Sequence, residues 1–249
     1  MLGSSIGQDT ALSRREEGFD SPTEYHVHYI SMSMNDTNFT GHLNLFPIAV
    51  AKYRRDDHKA LRQQILTIVD NCPEDNKEDT EEGFIHYYNA GNFPTGELPE
   101  FMSWVRSCVS DYAERFLGIS QREFVDLNVW VNSNSGGRQN PHVHNNSLIS
   151  ATYYVQIDPE KHVGLDFHNP RTPASLRKAM IEIEPDISTP YSDPFRSAQV
   201  EQGDLVIWPS EIMHGYIQPP VDVPRITMSM NFLPEVVQSK LYGFKISKI

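Results

Sequence analysis

The chain has 249 residues, of which 39% are hydrophobic and 22% charged, and its formal net charge is −12 at pH 7. This balance is that of a globular protein with ample apolar material for a core, in one large domain or two modest ones. The acidic charge argues against nucleic acid or an anionic membrane surface as a partner, because both require a basic surface. A small basic pocket for an anionic ligand remains compatible with it.

The start of the chain and its cysteines favour an intracellular location. No apolar run of signal-peptide length is present, and no stretch approaches the roughly 20 apolar residues of a membrane span. Cys72 and Cys108 lack the spacing of a zinc or redox motif. We therefore expect two inert thiols in the reducing cytoplasm.

The first 40 residues differ in composition from the rest. Residues 1–40 are rich in Ser, Thr, Asp, Asn and Gly, which predicts a loosely ordered N-terminal arm, and such an arm could mediate self-association into a homo-oligomer. Residues 41–249 are expected to form a single domain. The apolar run 43–50 predicts its first strand.

Two amphipathic helices follow and give helical support over residues 56–118. Within 56–70 the apolar residues recur on one face, and Asp57 stands at the N-cap position. A second helix is predicted over 99–117, where Pro99 suits the first turn and Gly118 the end. Its apolar stripe is Phe101, Val105, Cys108, Tyr112 and Phe116; that of the first helix is Leu61, Ile65, Ile68 and Val69.

Short β-prone runs dominate the second half. They lie at 124–131, 148–157, 163–167, 204–208 and 225–232, with turn residues between them and one further helix predicted at 173–180. Many short strands separated by turns are typical of a sandwich or barrel. We predict an α+β, mainly β chain with a barrel core over 124–235 and the helices packed on one sheet.

Three of the ten histidines form a pattern that suits a metal site. His142 and His144 are two residues apart, so on a strand both side chains point to the same side. His214 follows the β-prone run that ends at Trp208-Pro209. A third imidazole from this distant strand would complete a set that leaves coordination positions open. Apart from His168, the remaining histidines have no such pattern and are expected at the surface or in the fold: His26, His28, His42, His58, His86 and His162.

An arginine follows the distal histidine at a useful distance. In the run 224–232, alternation places Arg225, Thr227 and Ser229 on one face of a strand and the apolar residues on the other. An arginine inside a barrel is costly unless it meets an anion, and its guanidinium fork suits a carboxylate. The alternative is a strand whose polar side faces solvent.

These segments together resemble a known family. The blocks are Leu45-Phe46-Pro47, His142, Tyr153-Tyr154, Asn169-Pro170-Arg171, the run 203–210, His214 and the run 224–232. In their order between residues 43 and 232 they resemble the 2-oxoglutarate- and iron(II)-dependent oxygenases common in marine bacterial and phage genomes. More remotely, they are similar to prolyl hydroxylases.

The resemblance implies a fold, a reaction and roles for particular residues. The fold would be a double-stranded β-helix, a jelly-roll or cupin-like barrel. The reaction would use Fe(II), 2-oxoglutarate and O2 to hydroxylate a substrate, with release of succinate and CO2. His142 and His214 would bind iron. Arg225 and Ser229 would grip the distal carboxylate of 2-oxoglutarate, to which Tyr154 would offer its phenol.

The prime substrate is not specified by these residues. A protein or peptide side chain is slightly favoured by the prolyl-hydroxylase likeness, and a small metabolite is the other option. The segment 172–202, rich in prolines and acids, is expected to form a loop over the mouth of the site and to select the substrate. If a phage encodes the chain, the cytoplasm in question is that of its host.

The first motif departs from the wider superfamily, which has His-x-Asp or His-x-Glu where this chain has His142-Val143-His144. One reading makes His144 the third metal ligand, and we favour it. In a second, only His142 and His214 bind and water fills the gap. In a third, His144 is the first ligand and Asn146 stands in the place of the carboxylate.

Further polar residues sit near these motifs on the predicted strands. Asn128 and Trp130 alternate toward one side of the strand before the histidines and are candidate contacts for the cosubstrate or substrate. Asp166 and His168 share a strand face as well. They would line the substrate mouth or supply a carboxylate ligand, but a polar strand end is the commoner explanation.

Two alternatives to the oxygenase stay open. A cupin would also be a β-barrel with a three-histidine metal site, but its usual glutamate after the paired histidines is missing here and Arg225 has no role in it. A non-catalytic barrel, a binding or virion-associated module, is the other. The sequence shows neither a glycine-rich phosphate loop nor a nucleophile elbow, which argues against kinases and serine hydrolases.

Overall fold

The structure of the chain, a computed structural model, describes residues 47–80, 83–120, 123–170, 189, 192–238 and 240–246. The predicted arm at 1–40 and the predicted helix at 173–180 lie outside these ranges, as does most of the predicted loop 172–202. Neither helix in the described ranges has the length and hydropathy that a membrane span requires.

The two predicted amphipathic helices are confirmed. Helix α1 spans His58–Asp70 and helix α2 spans Pro99–Leu117, which ends at Gly118 with a left-handed φ of 67°. Asp57 is the N-cap residue of α1, as predicted, but its carboxylate makes no capping hydrogen bond, because it pairs with the guanidinium of Arg55 at 2.6 Å. One detail of the prediction is wrong. Phe116 is 48% exposed, since it lies at the solvent edge of the stripe rather than within it.

The described residues form thirteen strands, which lie in two main sheets and a terminal hairpin. The larger sheet contains β1 Ala51–Arg54, β2 Lys77–Asp79, β3 Phe84–Tyr87, β4 Phe124–Asn134, β6 Ile149–Gln156, β9 Asp204–Pro209 and β11 Arg225–Pro234. The smaller contains β5 Gly137–His142, β7 Asp166–His168, β8 Phe195–Ser197 and β10 His214–Gln218. The hairpin is β12 Val236–Gln238 with β13 Gly243–Lys245.

The order of strands defines the architecture. The larger sheet runs β1-β9-β6-β11-β4-β3-β2 and the smaller runs β5-β10-β7-β8. From β4 to β11 the chain therefore passes repeatedly from one sheet to the other, while the pairings within each sheet are antiparallel. This is a double-stranded β-helix with added strands at the edges of the larger sheet, and it confirms the predicted fold class.

Strand β9 shows how the core is divided. Leu205 and Ile207 pack in the cluster that joins the larger sheet to the two helices. Val206 and Trp208 point the other way, into a second cluster between the two sheets. A strand that is buried on both faces has a continuous apolar sequence, and this pattern explains why β9 was predicted as a strand. Both cysteines are free and buried, and burial raises the pKa of the Cys108 thiol to about 12.

Other strand predictions differ from the structure. The predicted first strand at 43–50 is wrong in its described part, because residues 47–50 are irregular and β1 begins at Ala51, where pairing with β9 starts. The run 163–167 becomes strand only from Asp166. Strands β5 and β10 were not predicted; β5 is polar and contains a proline, and β10 has five residues, so neither carries a clear alternation.

Gly203 allows the chain to turn into β9 beneath the start of α1. Its φ is +90°, and a Cβ added there would lie 2.5 Å from the Cβ of His58. We expect Gly203→Ala to lower the free energy of unfolding by about 3 kcal/mol, because backbone strain and a steric clash combine. Urea unfolding would measure it. Gly96→Ala is the matched control, since nothing lies within 4 Å of its added Cβ. Equal effects of the two changes would contradict this role.

Candidate metal and anion site

Pairing between β5 and β10 brings the three predicted histidines together. His142 ends β5 and lies opposite His214, the first residue of β10. His144 lies two residues beyond the strand, so the prediction that it shares the strand with His142 is wrong, although the two rings still converge. Potential ligand atoms of all three lie within 4.8 Å of one another, and the Nε2 atoms of His144 and His214 are 3.2 Å apart.

Backbone carbonyls orient two of the rings. Nδ1–H of His142 donates to the carbonyl of Asn140 at 2.8 Å, and Nδ1–H of His214 donates to that of Ile212 at 2.9 Å. These bonds leave Nε2 of each ring as a free lone pair, the form in which imidazole binds metals. Nδ1 of His144 lies 3.3 Å from the side-chain nitrogen of Asn231.

Two of the three histidines, His144 and His214, are held in their neutral form. Burial, together with the nearby His142, lowers the pKa of His144 to about 4 and that of His214 to about 3. Neutral imidazole is the metal-binding form, so protons compete little at neutral pH. Two nitrogens bound at adjacent positions, each roughly 2.1 Å from a metal, would be about 3.0 Å apart. The observed 3.2 Å between His144 and His214 fits such a pair.

A cavity of about 310 Å³, counted with its opening to solvent, connects the histidines with Arg225. Both sheets contribute to it. Its lining consists of Trp130, Asn132, Gln139, His142, His144, Thr152, Leu165, Trp208, His214, Tyr216, Arg225, Thr227 and Ser229.

Arg225 is buried in the barrel without an anion. Its side chain is 1% exposed, and its guanidinium carbon lies 4.3 Å from the ring centre of Tyr216 and 5.2 Å from that of Tyr154. Among the described residues its Nε and Nη2 atoms have no hydrogen-bond partner, and no carboxylate lies within ion-pair distance of it. A buried cation needs a partner, so these two N–H groups are positioned for an anionic ligand.

Of the two residues predicted to assist Arg225, Ser229 lines the cavity and Tyr154 does not. Ser229 lines the cavity, and its hydroxyl contacts Asn132 at 3.3 Å and Thr152 at 3.4 Å. Tyr154 is fully buried and does not line the cavity, because its hydroxyl accepts the backbone N–H of Leu165 at 3.2 Å.

Of the candidate contacts before the histidines, only one reaches the cavity. Trp130 lines it, with its ring centre 6.0 Å from that of His144. Asn128 is not among the lining residues, and its Cβ lies against Gly91. Asn146, the alternative ligand, is exposed in a turn with a φ of 63°. It is outside the cavity lining as well.

Asp166 and His168 form a polar strand end. The hydroxyl of Ser197 on the neighbouring strand donates to the carboxylate of Asp166, and the ring of His168 lies beside that of Phe195. Neither residue lines the cavity.

Two lining residues near Arg225 were missed by sequence reasoning. Thr227 is two positions from Arg225 on the same face of β11 and is 2% exposed. The alternation that singled out Ser229 could also have identified it. Tyr216 follows His214 at the same spacing on β10, but that strand was not predicted and so neither was the direction of its side chain.

The fold and the site define a class of protein: a double-stranded β-helix that holds three convergent histidines and, in the same cavity, a buried arginine open to an anion. Residues 128–231 match the model of a family described as "Putative 2OG-Fe(II) oxygenase". The match covers 104 of the 249 residues and includes the histidines and Arg225. It confirms the resemblance predicted from the sequence.

Solved structures of low identity share the fold. The α-ketoglutarate-dependent epimerase SnoN from nogalamycin biosynthesis matches with a TM-score of 0.52 at 11% identity, over 76% of this chain and 80% of that one. EctD from S. alaskensis, solved with 2-oxoglutarate and 5-hydroxyectoine, matches with 0.51 at 12%, over 74% and 72%. No curated protein sequence matches the chain.

The lowered pKa values of the histidines should make the metal-free protein less stable in mild acid. His144 and His214 stay neutral in the folded protein but take up protons near pH 6.5 when it unfolds. Their contribution is therefore present above pH 6.5 and is lost as the pH falls toward 4 and 3. For His214 alone the expected loss at about pH 5 is about 2 kcal/mol.

Urea unfolding with a chelator present, near neutral pH and at about pH 5, measures this loss. The wild-type chain should lose more stability between the two conditions than His214→Gln, which has no imidazole to protonate. If both chains lose the same amount, the assignment of a buried neutral His214 is contradicted.

Proposed function

We propose that the chain is an iron(II)- and 2-oxoglutarate-dependent dioxygenase that hydroxylates a substrate still to be identified, with release of succinate and CO2. The observation that carries this proposal is the pairing, within one cavity, of three convergent histidines with a buried arginine open to an anion. A metal and a dicarboxylate would satisfy both ends of that cavity together. We place the enzyme in the cytoplasm, in keeping with its two free buried thiols.

In this proposal the residues of the chain bind the metal and bind and orient the cosubstrate. His142, His144 and His214 would hold iron(II) through Nε2, as the triad that replaces the usual two histidines and one carboxylate. When bound, iron(II) and 2-oxoglutarate together supply the activation of O2 and the electrons for it. Arg225 would hold the distal carboxylate through its free N–H groups, so the cosubstrate is oriented before the reaction. Trp130 and Trp208 line the cavity with apolar surface that limits the access of water.

The hydroxyl that assists Arg225 is, in this proposal, that of Thr227. Residues of a strand rise about 3.3 Å each, so Thr227 lies roughly 7 Å along β11 from Arg225 and Ser229 roughly 13 Å. Ser229 already contacts Asn132 and Thr152. Tyr216 stacks on the guanidinium from within the cavity, whereas Tyr154 supports it from behind.

The class of the prime substrate is left broad. The similar folds include an epimerase, so the fold by itself does not select hydroxylation. Hydroxylation of a protein or peptide side chain or of a small metabolite would suit the open side of the histidine cluster, where His142 and His144 are partly exposed.

Succinate formation tests the proposal. The chain, purified without oxygen and given Fe(II), 2-oxoglutarate and then air, should form succinate slowly even without a prime substrate. The signal should need iron and be lost in His214→Ala. Arg225→Gln should raise the KM for 2-oxoglutarate by about 100-fold, because a buried charge pair is lost. Arg115→Gln, which changes an exposed arginine of α2, should behave as wild type.

Other outcomes separate the alternatives. Metal binding without any binding of 2-oxoglutarate would contradict the proposal and favour a cupin. The absence of both would favour a non-catalytic barrel.

We expect substitutions of Thr227 and Ser229 to affect the binding of 2-oxoglutarate differently. Thr227→Val keeps the shape of the side chain and removes its hydroxyl, and it should raise the KM for 2-oxoglutarate by about tenfold, the value of one hydrogen bond to a charged group. Ser229→Ala should change this KM by less than about threefold. Initial rates of succinate formation measure both constants. A larger increase in the KM for Ser229→Ala than for Thr227→Val would contradict this assignment and indicate that Ser229 binds the carboxylate.

A further inference from the structure

A buried chain of polar side chains runs from the surface to Nδ1 of His144. The hydroxyl of Ser147 donates to that of Ser210 at 2.7 Å, and the hydroxyls of Ser210 and Ser150 are 2.8 Å apart. Ser150 donates to the side-chain oxygen of Asn231 at 2.8 Å, and the side-chain nitrogen of Asn231 lies 3.3 Å from His144. No motif in the sequence marks these residues.

Strand register and one backbone hydrogen bond position these polar side chains. Asn231 on β11 and Ser150 on β6 are opposite each other in the register of the larger sheet. Ser150 and Ser210 are each 1% exposed and Asn231 is 6% exposed. The backbone N–H of His144 donates to the carbonyl of Ser210 at 3.0 Å, which fixes the loop that carries the histidine. Three buried polar side chains are costly unless each is satisfied, and here Ser150, Ser210 and Asn231 are satisfied by one another, by Ser147 and by His144.

The hydrogen bonds are compatible with one direction along the series, in which Ser210 donates to Ser150 and Ser150 donates to Asn231. Asn231 donates to Nδ1 of His144, so the proton of the neutral ring is on Nε2. That Nε2–H then donates to Nε2 of His214 at 3.2 Å, while Nδ1–H of His214 donates to Ile212. The site without metal is therefore satisfied, and two lone pairs do not face each other.

Metal binding requires the opposite tautomer. A metal at Nε2 of His144 needs a lone pair there, so the proton must be on Nδ1 and its partner must accept. Rotation of the Asn231 amide by half a turn presents its oxygen to Nδ1–H and its nitrogen to Ser150. The hydroxyls of Ser150 and Ser210 can reverse in the same way, because each donates and accepts. The series of hydrogen bonds ends at Ser147, whose side chain is partly exposed and can form a hydrogen bond with water instead.

We propose that Asn231 and the three serines form a reversible hydrogen-bond relay that sets the tautomer of His144 and thereby controls metal binding. The proton leaves Nε2 to water and another is taken up from water at Nδ1, so the charge of the protein does not change. Asn231 is a positioning residue in this scheme, since it acts through His144. The inference rests on the proposed function in taking His144 as the third ligand.

The first test observes the tautomer directly. Nitrogen-15 spectra of the histidine rings, with zinc(II) as a diamagnetic probe, distinguish Nδ1–H from Nε2–H. In the metal-free chain His144 should carry its proton on Nε2, and zinc should shift it to Nδ1. A metal-free His144 already protonated on Nδ1, or a ring whose tautomer zinc does not change, would overturn the relay.

The second test uses variants at Asn231. In Asn231→Asp both side-chain oxygens accept, so metal-free His144 should already show Nδ1–H, and zinc should bind about tenfold more tightly by calorimetry. Asn231→Leu keeps the size but offers no acceptor, and zinc should bind about tenfold more weakly. Asn71→Asp adds the same charge at the exposed end of α1 and should leave the affinity unchanged. Thermal unfolding with a chelator checks that each variant folds.

The outcomes separate the two proposals. Equal zinc affinity in wild type, Asn231→Asp and Asn231→Leu, with 2-oxoglutarate still bound in a zinc-dependent way, would overturn the relay and leave the proposed function intact. A wild-type chain that binds neither zinc nor 2-oxoglutarate would overturn the proposed function, and the relay with it.

Discussion

The positive charge of Arg225 inside the barrel is the constraint around which the site is built. A guanidinium cannot give up its proton at physiological pH, so burial must be offset by contacts with its surroundings. Tyr216 and Tyr154 provide aromatic faces at 4.3 and 5.2 Å, but among the described residues no acid completes the pair. The fold thus keeps a cation whose Nε and Nη2 have no partner in the part of the chain that the structure describes, an arrangement that is costly without a ligand and favourable with a carboxylate.

Strand β11 links this cation to the metal-binding end of the cavity. It lies at the centre of the larger sheet, paired with β4 on one side and β6 on the other, and it is buried along most of its length. Arg225 stands at its beginning and Asn231 near its end, where the latter contacts His144. One strand therefore carries both the buried arginine and the side chain that contacts His144, with Thr227 and Ser229 between them. Helices α1 and α2 pack on the other face of the sheet.

The sequence revealed those features that depend on burial and missed those that depend on pairing. Helix α2 and the face of β11 that carries Arg225 were predicted well, because apolar periodicity is set by the side of the element that packs on the core. Strands β5 and β10 were missed, since the polar run of β5 is held by its partner and not by its own composition. The same limit explains why His144 was placed on a strand, and why Tyr216 and the relay through Asn231 could not be found before the register was known.

The most direct test of the account is whether metal and 2-oxoglutarate share the cavity. Iron(II) added to the oxygen-free protein should give little visible absorption, and 2-oxoglutarate should then produce a charge-transfer band, because its oxo acid end binds the metal while Arg225 holds the other end. The band should be lost in His214→Ala and should need much more 2-oxoglutarate in Arg225→Gln. Iron that binds without any new band at saturating 2-oxoglutarate would contradict the claim that the histidines and Arg225 form one site.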